Sequence, residues 1–403
     1  MKAIDLFPPT RTAALERLSA FLPRAGRAYA AGRNTDAGPG QHSAVSTLSP
    51  YLRTRLVTEE EVLEATLRRH SMQAAEKFVQ EVFWRTYWKG WLEQRPGVWD
   101  AYLTELNSDW DAVQTQSGLR DRWTAACTGE TEIKCFNFWA QELVETGYLH
   151  NHARMWFASI WIFTLQLPWS LGADFFLRHL LDGDPASNTL GWRWVAGLQT
   201  RGKTYLARPS NIAKFTNGRC IPPAGQLASE ALPLEGPLAP APRMIPSPTA
   251  PAPGKRTGLI LHEDDLNPGF VLDHVTPVTT IYLKSSVSGP LQPAPHVAAF
   301  REAAAQDTMA RWREKLGNDF QVANTHEDIA HWAAQASLEQ IVTPYAPTGP
   351  VATRLASLAK AQGIPPIVPL MRAYDQTAWP HATKGFFPFK AKIPQMIATL
   401  GLG

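Results

Sequence analysis

The sequence predicts two domains: an all-helical domain at the start of the chain and a smaller α/β domain with a parallel sheet at its end. Three observations lead to this fold class. The first half carries amphipathic helical patterns and few strand patterns. A segment between Pro222 and Pro253 holds ten of the 33 prolines. Beyond it, short apolar runs alternate with amphipathic stretches.

Three helices of the first half can be placed from local patterns. Thr58 and Glu61 have the spacing of a capping box, which predicts a helix that continues to His70. A second helix is predicted over residues 71–94, since a proline follows at 96. Residues 151–165 are apolar almost all round, which is typical of a helix in the middle of a domain.

The proline-rich segment cannot pack a core, and it predicts a semi-rigid linker over residues 221–256. This linker separates a domain at 1–220 from a domain at 257–403. The alternating pattern of the second domain predicts a Rossmann-like parallel sheet with helices on its faces. Its predicted strands lie at 257–266, 279–283, 320–324, 339–345 and 365–371. Because no GxGxxG follows any of them, a nicotinamide site is not predicted.

Composition excludes several classes of protein. A chain with 44% hydrophobic and 19% charged residues is neither disordered nor a coiled coil. Its three cysteines cannot build a disulfide framework or supply four thiolates to an iron–sulfur cluster, and they suit a reducing compartment. The histidines at 326 and 331 lack metal-ligand spacing, and GxSxG and phosphate-loop patterns are absent. We therefore predict no metal site and no hydrolase.

No targeting or membrane segment is predicted. The first residues lack the apolar run of a secretory signal. The most apolar stretch, Met155–Trp169, is too short to cross a bilayer, which takes about 20 apolar residues. We therefore expect a soluble, cytoplasmic protein that does not bind membranes.

Two runs in the block from 146 to 220 carry a resemblance to a known family. They are YLHNHARM at 148–155 and LDGDPASNTLGWRW at 181–194. Both resemble, in sequence and joint spacing, runs of the FAD-binding domain of the DNA photolyase/cryptochrome family. STLSPYL at 46–52 and EVFWR at 81–85 extend the similarity more weakly, so that it covers most of residues 29–220. The resemblance implies a photolyase-type FAD-binding domain.

The resemblance implies a set of FAD-binding residues. The hydroxyls near Ser46 could hold the diphosphate, Arg154 and Asp182 would pair beside the flavin, and Asn188 would face its N5. Without the resemblance, helix capping and a solvated turn explain the same residues. The implied contacts are Ser46, Thr47, Leu48, Ser49, Phe78, Arg85, Asn151, Arg154, Asp182, Gly183, Asp184 and Asn188.

The same family implies residues that contact damaged DNA. Glu81 would hydrogen-bond the pyrimidine edge and Trp84 would stack on the flipped dimer, although core packing also explains a tryptophan here. Met155 occupies a position that is Met in enzymes for cyclobutane dimers and His in those for (6-4) photoproducts. With Asn188 beside the flavin and Trp194 lining the cavity, these residues form the implied catalytic set.

Electron transfer and DNA binding are implied by further residues. Trp192 and Trp169 match the inner members of the family's tryptophan chain, and Trp110 is the nearest candidate for the outer one. Positive side chains for DNA phosphates are implied at Arg193, Arg201 and Lys203, although a solvated basic face is the ordinary alternative at a net charge of +3.

The function implied by the resemblance is light-driven, FAD-dependent repair of cyclobutane pyrimidine dimers, the activity of a deoxyribodipyrimidine photolyase. Its partner would be UV-damaged DNA. The alternative is a cryptochrome-like blue-light receptor that signals through a partner protein. A plain flavin oxidoreductase is less well supported, because no substrate acid/base pair or nicotinamide site is visible.

The order of the predicted domains departs from the family, whose members begin with an α/β antenna domain. Residues 262–266 and 383–389 look like the start and the exit of that domain. We therefore expect a circular permutation that places an antenna-like domain at 257–403. A second, antenna chromophore could bind there, and its identity is not indicated.

Overall fold

A computed structural model describes residues 3–284, 289–317 and 320–403. Up to Phe215, the described residues form helices and no strands. The α-helices of this region are α1 (Ala3–Leu6), α2 (Arg11–Phe21), α3 (Arg27–Gly32), α4 (Ser49–Arg53), α5 (Glu59–Arg69), α6 (Met72–Glu93), α7 (Gly97–Thr115), α8 (Ser117–Thr128), α9 (Lys134–Thr146), α10 (Asn151–Ser159), α11 (Trp169–His179), α12 (Pro185–Val195) and α13 (Pro209–Phe215). A 3-10 turn spans Leu22–Arg24, and a π-helical turn spans Ile160–Thr164.

Local capping explains where the predicted helices begin. At the start of α5 both arms of the capping box are formed, between the Thr58 side chain and the Glu61 backbone and in the reverse direction. Ser71 caps α6 by accepting from the backbone N–H of Ala74. The predicted helix at 151–165 is confirmed as buried, but it divides into α10 and the π-helical turn, a type of irregularity that is frequent at functional sites.

The proline-rich segment contains no helix or strand from residue 216 to residue 256. It nevertheless packs on the helical region. Leu234 donates its backbone N–H to the Ala196 carbonyl at 3.0 Å. Arg243 pairs with the buried carboxylate of Glu93 at 2.9 Å. Parts of this segment are therefore fixed against the helices.

The predicted parallel sheet is confirmed in the last third of the chain. Its strands are β1 (Thr257–His262), β2 (Thr279–Leu283), β3 (Val322–Ala323), β4 (Gln340–Pro344) and β5 (Ile367–Leu370), in the order β3-β2-β1-β4-β5, and all pairs are parallel. The helices are α14 (Gly269–Leu272), α15 (Pro295–Arg311), α16 (Arg313–Leu316), α17 (His326–Gln335), α18 (Pro350–Leu358), α19 (Ala373–Ala378), α20 (Phe386–Lys390) and α21 (Ile393–Thr399), with a 3-10 turn at Trp379–His381.

The carboxyl ends of β1 and β4 meet at the point where the strand order reverses, which is where open α/β sheets usually bind ligands. Here arginines of the helical region occupy that place. Arg53 donates to Asp264 at 2.5 Å, and Arg55 donates to Asp265 at 3.1 Å. We call the buried ionic residues at this junction the charged seam; they are Arg53, Arg55, Glu59, Glu263, Asp264, Asp265, Arg372 and Asp375.

The charged seam predicts a stability that depends on pH. Although burial acts in the opposite direction, Arg372 and Arg55 hold the pKa of Asp265 at about 2, below its ordinary value of 3.8. A lowered pKa adds stability that is complete above the ordinary value and is lost as the pH falls through the lowered one. We therefore expect Asp265 alone to contribute about 2 kcal/mol that disappears between about pH 4 and pH 2. Urea unfolding at pH 7, 4 and 2.5 measures this loss. In Asp265→Asn the free energy of unfolding should depend less on pH, and an equally steep dependence in the variant would contradict the assignment.

Candidate functional site

The predicted pair of Arg154 and Asp182 is formed in the structure. Nη2 of Arg154 donates to both carboxylate oxygens of Asp182, at 2.8 and 3.0 Å. Nε of Arg154 donates to the Leu149 carbonyl at 3.0 Å, which fixes the guanidinium at the start of α10. The pair is nearly buried, and a charge pair in such a place is retained only when both members are hydrogen-bonded.

Asp184 begins α12 and carries a buried charge. Its carboxylate accepts from the backbone N–H of Ser187 at 2.8 Å, as an N-cap. Lys89 lies 3.3 Å and Arg85 3.5 Å from the same carboxylate. Burial raises the pKa of Asp184, but these cations outweigh it and hold that pKa well below its usual range. Lys89 was not predicted from the sequence, although it lies one helical turn after Arg85 on α6.

Gly183 separates the two aspartates because no side chain fits there. A Cβ at this position would lie 2.8 Å from the Leu177 carbonyl oxygen. The carbonyl of Gly183 accepts a hydrogen bond from Arg53 at 2.8 Å. One turn into α12, the Asn188 side chain is buried and donates to the Ala173 carbonyl at 2.7 Å. Its amide orientation is therefore fixed, with Nδ2 directed to the backbone of α11.

A cavity of about 640 Å³ lies beside the predicted diphosphate residues, a volume within the usual range for cofactor sites. Ser46, Thr47, His42 and Arg17 line it. Arg17 donates to the Thr47 hydroxyl at 2.6 Å, and Thr47 has a φ of 50°, a strained value for a β-branched residue. Nδ1 of His42 is buried without a hydrogen-bond partner among the described residues.

This set of donors fits FAD. Hydroxyls and an arginine are groups that bind a diphosphate, whereas His42 lies close to the carboxylates of Asp36 and Glu142. The remaining predicted contacts are more dispersed. Leu48 is buried, Ser49 opens α4, and Asn151 is exposed at the first position of α10. Phe78 is buried and its ring contacts those of Tyr29 and of Phe21, which lines the cavity.

The predicted DNA-contacting residues are only partly brought together. Glu81 pairs with Arg33 at 2.8 Å, while burial raises the pKa of its carboxyl. Trp84, one turn along α6, stacks on Phe386 of α20 with centroids 3.6 Å apart and planes at 11°. Trp194 instead stacks on Tyr205 at 5.7 Å, and in the described ring contacts it does not meet Trp84. Met155 is half-buried beside Arg154 on α10.

Of the predicted electron-transfer residues, Trp192 and Trp169 are buried and Trp110 is half-buried. The Trp192 ring contacts Trp161 and Phe176, with centroids 6.1 and 5.1 Å away. The Trp169 ring contacts Tyr102 at 5.6 Å. Trp110 contacts Trp123 and, among the described ring contacts, neither of the inner tryptophans.

Gly172 allows Trp192 to approach α11. A Cβ at Gly172 would lie 2.3 Å from Cη2 of Trp192 and 2.9 Å from Nε1 of Trp161, two rigid buried rings. We expect Gly172→Ala to displace these rings and to destabilise the protein by about 1–3 kcal/mol through overpacking. Urea unfolding measures the change, and Gly191→Ala, where a Cβ meets nothing within 4 Å, is the matched control. Equal stability of the two variants would contradict the prediction.

Arg193, which was predicted to contact DNA, is buried in the structure. Its side chain is 5% exposed, and its guanidinium lies 6.0 Å from the centre of the Trp169 ring. Because the packing of α12 buries this side chain, it is not available to a phosphate in this structure. Arg201 and Lys203 are both exposed, in the loop that follows α12.

The first half of the chain is similar in sequence to known proteins. The profile described as the FAD binding domain of DNA photolyase matches residues 78–228. The chain carries a photolyase-type FAD-binding domain. The deoxyribodipyrimidine photo-lyase of Agrobacterium fabrum is 32% identical over 198 residues, which are 48% of this chain and 39% of the relative. That of a Synechococcus strain is 31% identical over 218 residues, 51% of this chain and 43% of the relative.

The FAD-binding domain thus accounts for only part of each relative, since this chain spans about two fifths of their length. Among solved structures, a class III photolyase from Agrobacterium tumefaciens shares 28% identity, with a TM-score of 0.42 over 52% of this chain and 43% of that one.

In the part of this chain that the structure describes, no helix is both long and apolar enough to span a membrane, and no cluster of acidic, histidine or cysteine side chains could hold a metal ion.

Proposed function

We propose that the protein repairs cyclobutane pyrimidine dimers in DNA, using light absorbed by FAD. The observation that carries the proposal is the hydrogen-bonded pair of Arg154 and the buried Asp182, in a domain whose relatives are named deoxyribodipyrimidine photo-lyases. Bound FAD in its reduced form would supply the electron that splits the dimer.

The side chains of this chain would position the reactants. Arg154 would hold positive charge beside the flavin, and its bonds to Asp182 and to the Leu149 carbonyl keep it in place. Asn188 would present an amide, which does not repel a reduced, anionic flavin as a carboxylate would. Glu81 would hydrogen-bond the pyrimidine edge; burial raises the pKa of its carboxyl and Arg33 opposes that increase. Met155 would pack on the dimer.

The DNA-facing residues would include Arg201 and Lys203, because both are exposed beyond α12.

One observation favours the alternative, a cryptochrome-like receptor with a protein partner. Phe386 covers a face of Trp84, so that face could meet a flipped dimer only if α20 moved. Arg193 is also withdrawn from the surface.

Irradiation of the purified, chemically reduced protein with a UV-damaged oligonucleotide distinguishes the two functions. Light-dependent recovery of intact thymines is expected. Glu81→Gln should slow that recovery while FAD stays bound, and Glu64→Gln, on the exposed face of α5, should leave it unchanged. If FAD is bound and can be reduced but no light-dependent repair occurs, the repair function is refuted and the receptor function remains.

We also propose that the chain is a circular permutation, with the α/β region at 257–403 corresponding to an antenna domain and residues 221–256 joining it to a domain at 1–220. The complete parallel sheet after the proline-rich segment supports this order. A second chromophore would have to bind away from the charged seam, because Arg53 and Arg55 fill the reversal point between β1 and β4. Superposition of residues 257–403 on an antenna domain tests the permutation.

A further inference from the structure

The two buried tryptophans of the predicted electron path differ in the surroundings of their indole nitrogens. Nε1 of Trp192 is buried and has no hydrogen-bond partner among the described residues. Nε1 of Trp169 donates to a carboxylate oxygen of Glu105 at 2.7 Å. Glu105 is exposed on α7, whereas the Trp169 side chain is 2% exposed. A buried N–H is therefore connected to solvent through one carboxylate.

This difference matters because a one-electron-oxidised indole is a much stronger acid than a neutral one. An oxidised tryptophan whose N–H has no acceptor keeps its proton and readily takes its electron back. An oxidised tryptophan bonded to a carboxylate can lose the proton, and the reverse electron transfer then becomes slow. The structure gives such an acceptor to Trp169 and not to Trp192.

We infer that Glu105 accepts the indole proton of Trp169 when this tryptophan is oxidised, and that the electron path of this protein ends at Trp169. The inference rests on the proposed flavin photochemistry. Trp192 gives one electron to a photoexcited oxidised flavin, the one-electron oxidant, and takes one from Trp169. The N–H bond of Trp169 breaks and its proton binds to Glu105, which leaves a neutral indolyl radical and a neutral carboxylic acid.

The packing between α11 and α12 supports transfer from Trp169 to Trp192. The Trp192 ring lies against Gly172, which follows Trp169 by one turn of α11. The aromatic neighbours beyond Trp169 do not offer a better end point. The hydroxyl of Tyr102 and Nε1 of Trp99 are both buried without a hydrogen-bond partner among the described residues, so neither could release a proton on oxidation.

The charged groups around Glu105 fit a proton acceptor. Partial burial of the carboxylate raises the pKa of Glu105, the Trp169 bond lowers it, Asp109 raises it further, and Arg193 of α12 opposes that increase. A carboxylate with a raised pKa is a stronger base. Asp109, one turn along α7, binds the Ser170 hydroxyl instead of an indole.

Glu105→Gln tests the inference, because glutamine keeps an oxygen that accepts the N–H but cannot take the proton. After a laser flash on the FAD-loaded protein, transient absorption should show a neutral tryptophan radical in the wild type. In Glu105→Gln, loss of the proton should slow on the order of 100-fold, and the radical cation should recombine earlier. Asp111→Asn, at an exposed carboxylate of the same helix, is the control and should behave like the wild type.

A second measurement does not depend on flavin. The indole ¹⁵N–¹H resonance of Trp169, assigned with Trp169→Phe, should titrate with Glu105 in the wild type and in Asp111→Asn, but not in Glu105→Gln. A neutral radical that forms and persists equally in Glu105→Gln, or a wild-type flash that oxidises no tryptophan, overturns the inference. The repair assay starts from chemically reduced protein, so failure of the proposed function is detected separately.

Discussion

Replacing Arg55 with alanine should lower the free energy of unfolding by about 3–5 kcal/mol, the usual cost of leaving a buried charge unpaired. Arg55 is 4% exposed and donates to both oxygens of Asp375, at 2.9 and 2.8 Å. It also lies 3.1 Å from Asp265 and 3.4 Å from Glu59. Its loss would leave three buried carboxylates short of a cation, and Arg372 could compensate only at Asp265.

Urea unfolding at neutral pH measures this effect, with Arg68→Ala as the control. Arg68 pairs with Glu64 on the exposed face of α5, where a single ion pair adds about 0.5 kcal/mol or less. A loss below about 1 kcal/mol in Arg55→Ala would mean that water enters the junction and pairs with the carboxylates. The charged seam would then not hold the two regions together.

The second large effect is expected at Arg154. Arg154→Ala should weaken FAD binding by about 100-fold or more, because it removes the cation that we propose lies beside the flavin and leaves the buried Asp182 carboxylate unpaired. The protein should be purified colourless. Asp182→Asn tests the same pair from the other side and should weaken binding less, since the Arg154 cation remains.

Titration of FAD into the apoprotein, followed by flavin fluorescence, gives the two dissociation constants. Arg208→Ala is the control, because Arg208 is an exposed arginine at the start of α13 in the same domain. Thermal unfolding of each variant separates loss of binding from loss of fold. Unchanged FAD affinity in a folded Arg154→Ala protein would show that the flavin lies elsewhere.

Features fixed by short-range sequence were predictable. The capping box of Thr58 and Glu61 and the strand at TTIYL each follow from residues close together in the chain. The pair of Arg154 and Asp182 is 28 residues apart, and it was predicted only because two complete motifs resemble those of a known family. From spacing alone, Asp182 would have been predicted to lie in a solvated turn.

Features that depend on distant packing were not predictable. Arg55 meets Asp375 across 320 residues, and no local pattern indicates that contact. Helix periodicity alone did not show that Arg193 turns inward, because its burial depends on how α12 packs against α11. The bond from Trp169 to Glu105 spans 64 residues and joins two helices whose relative rotation the sequence does not specify.

The charged seam has a consequence for how the polypeptide could be divided. Its ionic contacts join segments far apart in sequence, and none of them passes through residues 221–256. A protease cut within those residues would therefore leave two fragments that stay associated. Two genes encoding the separate halves could likewise yield a reconstituted heterodimer, since recognition between them is already built into complementary buried charges.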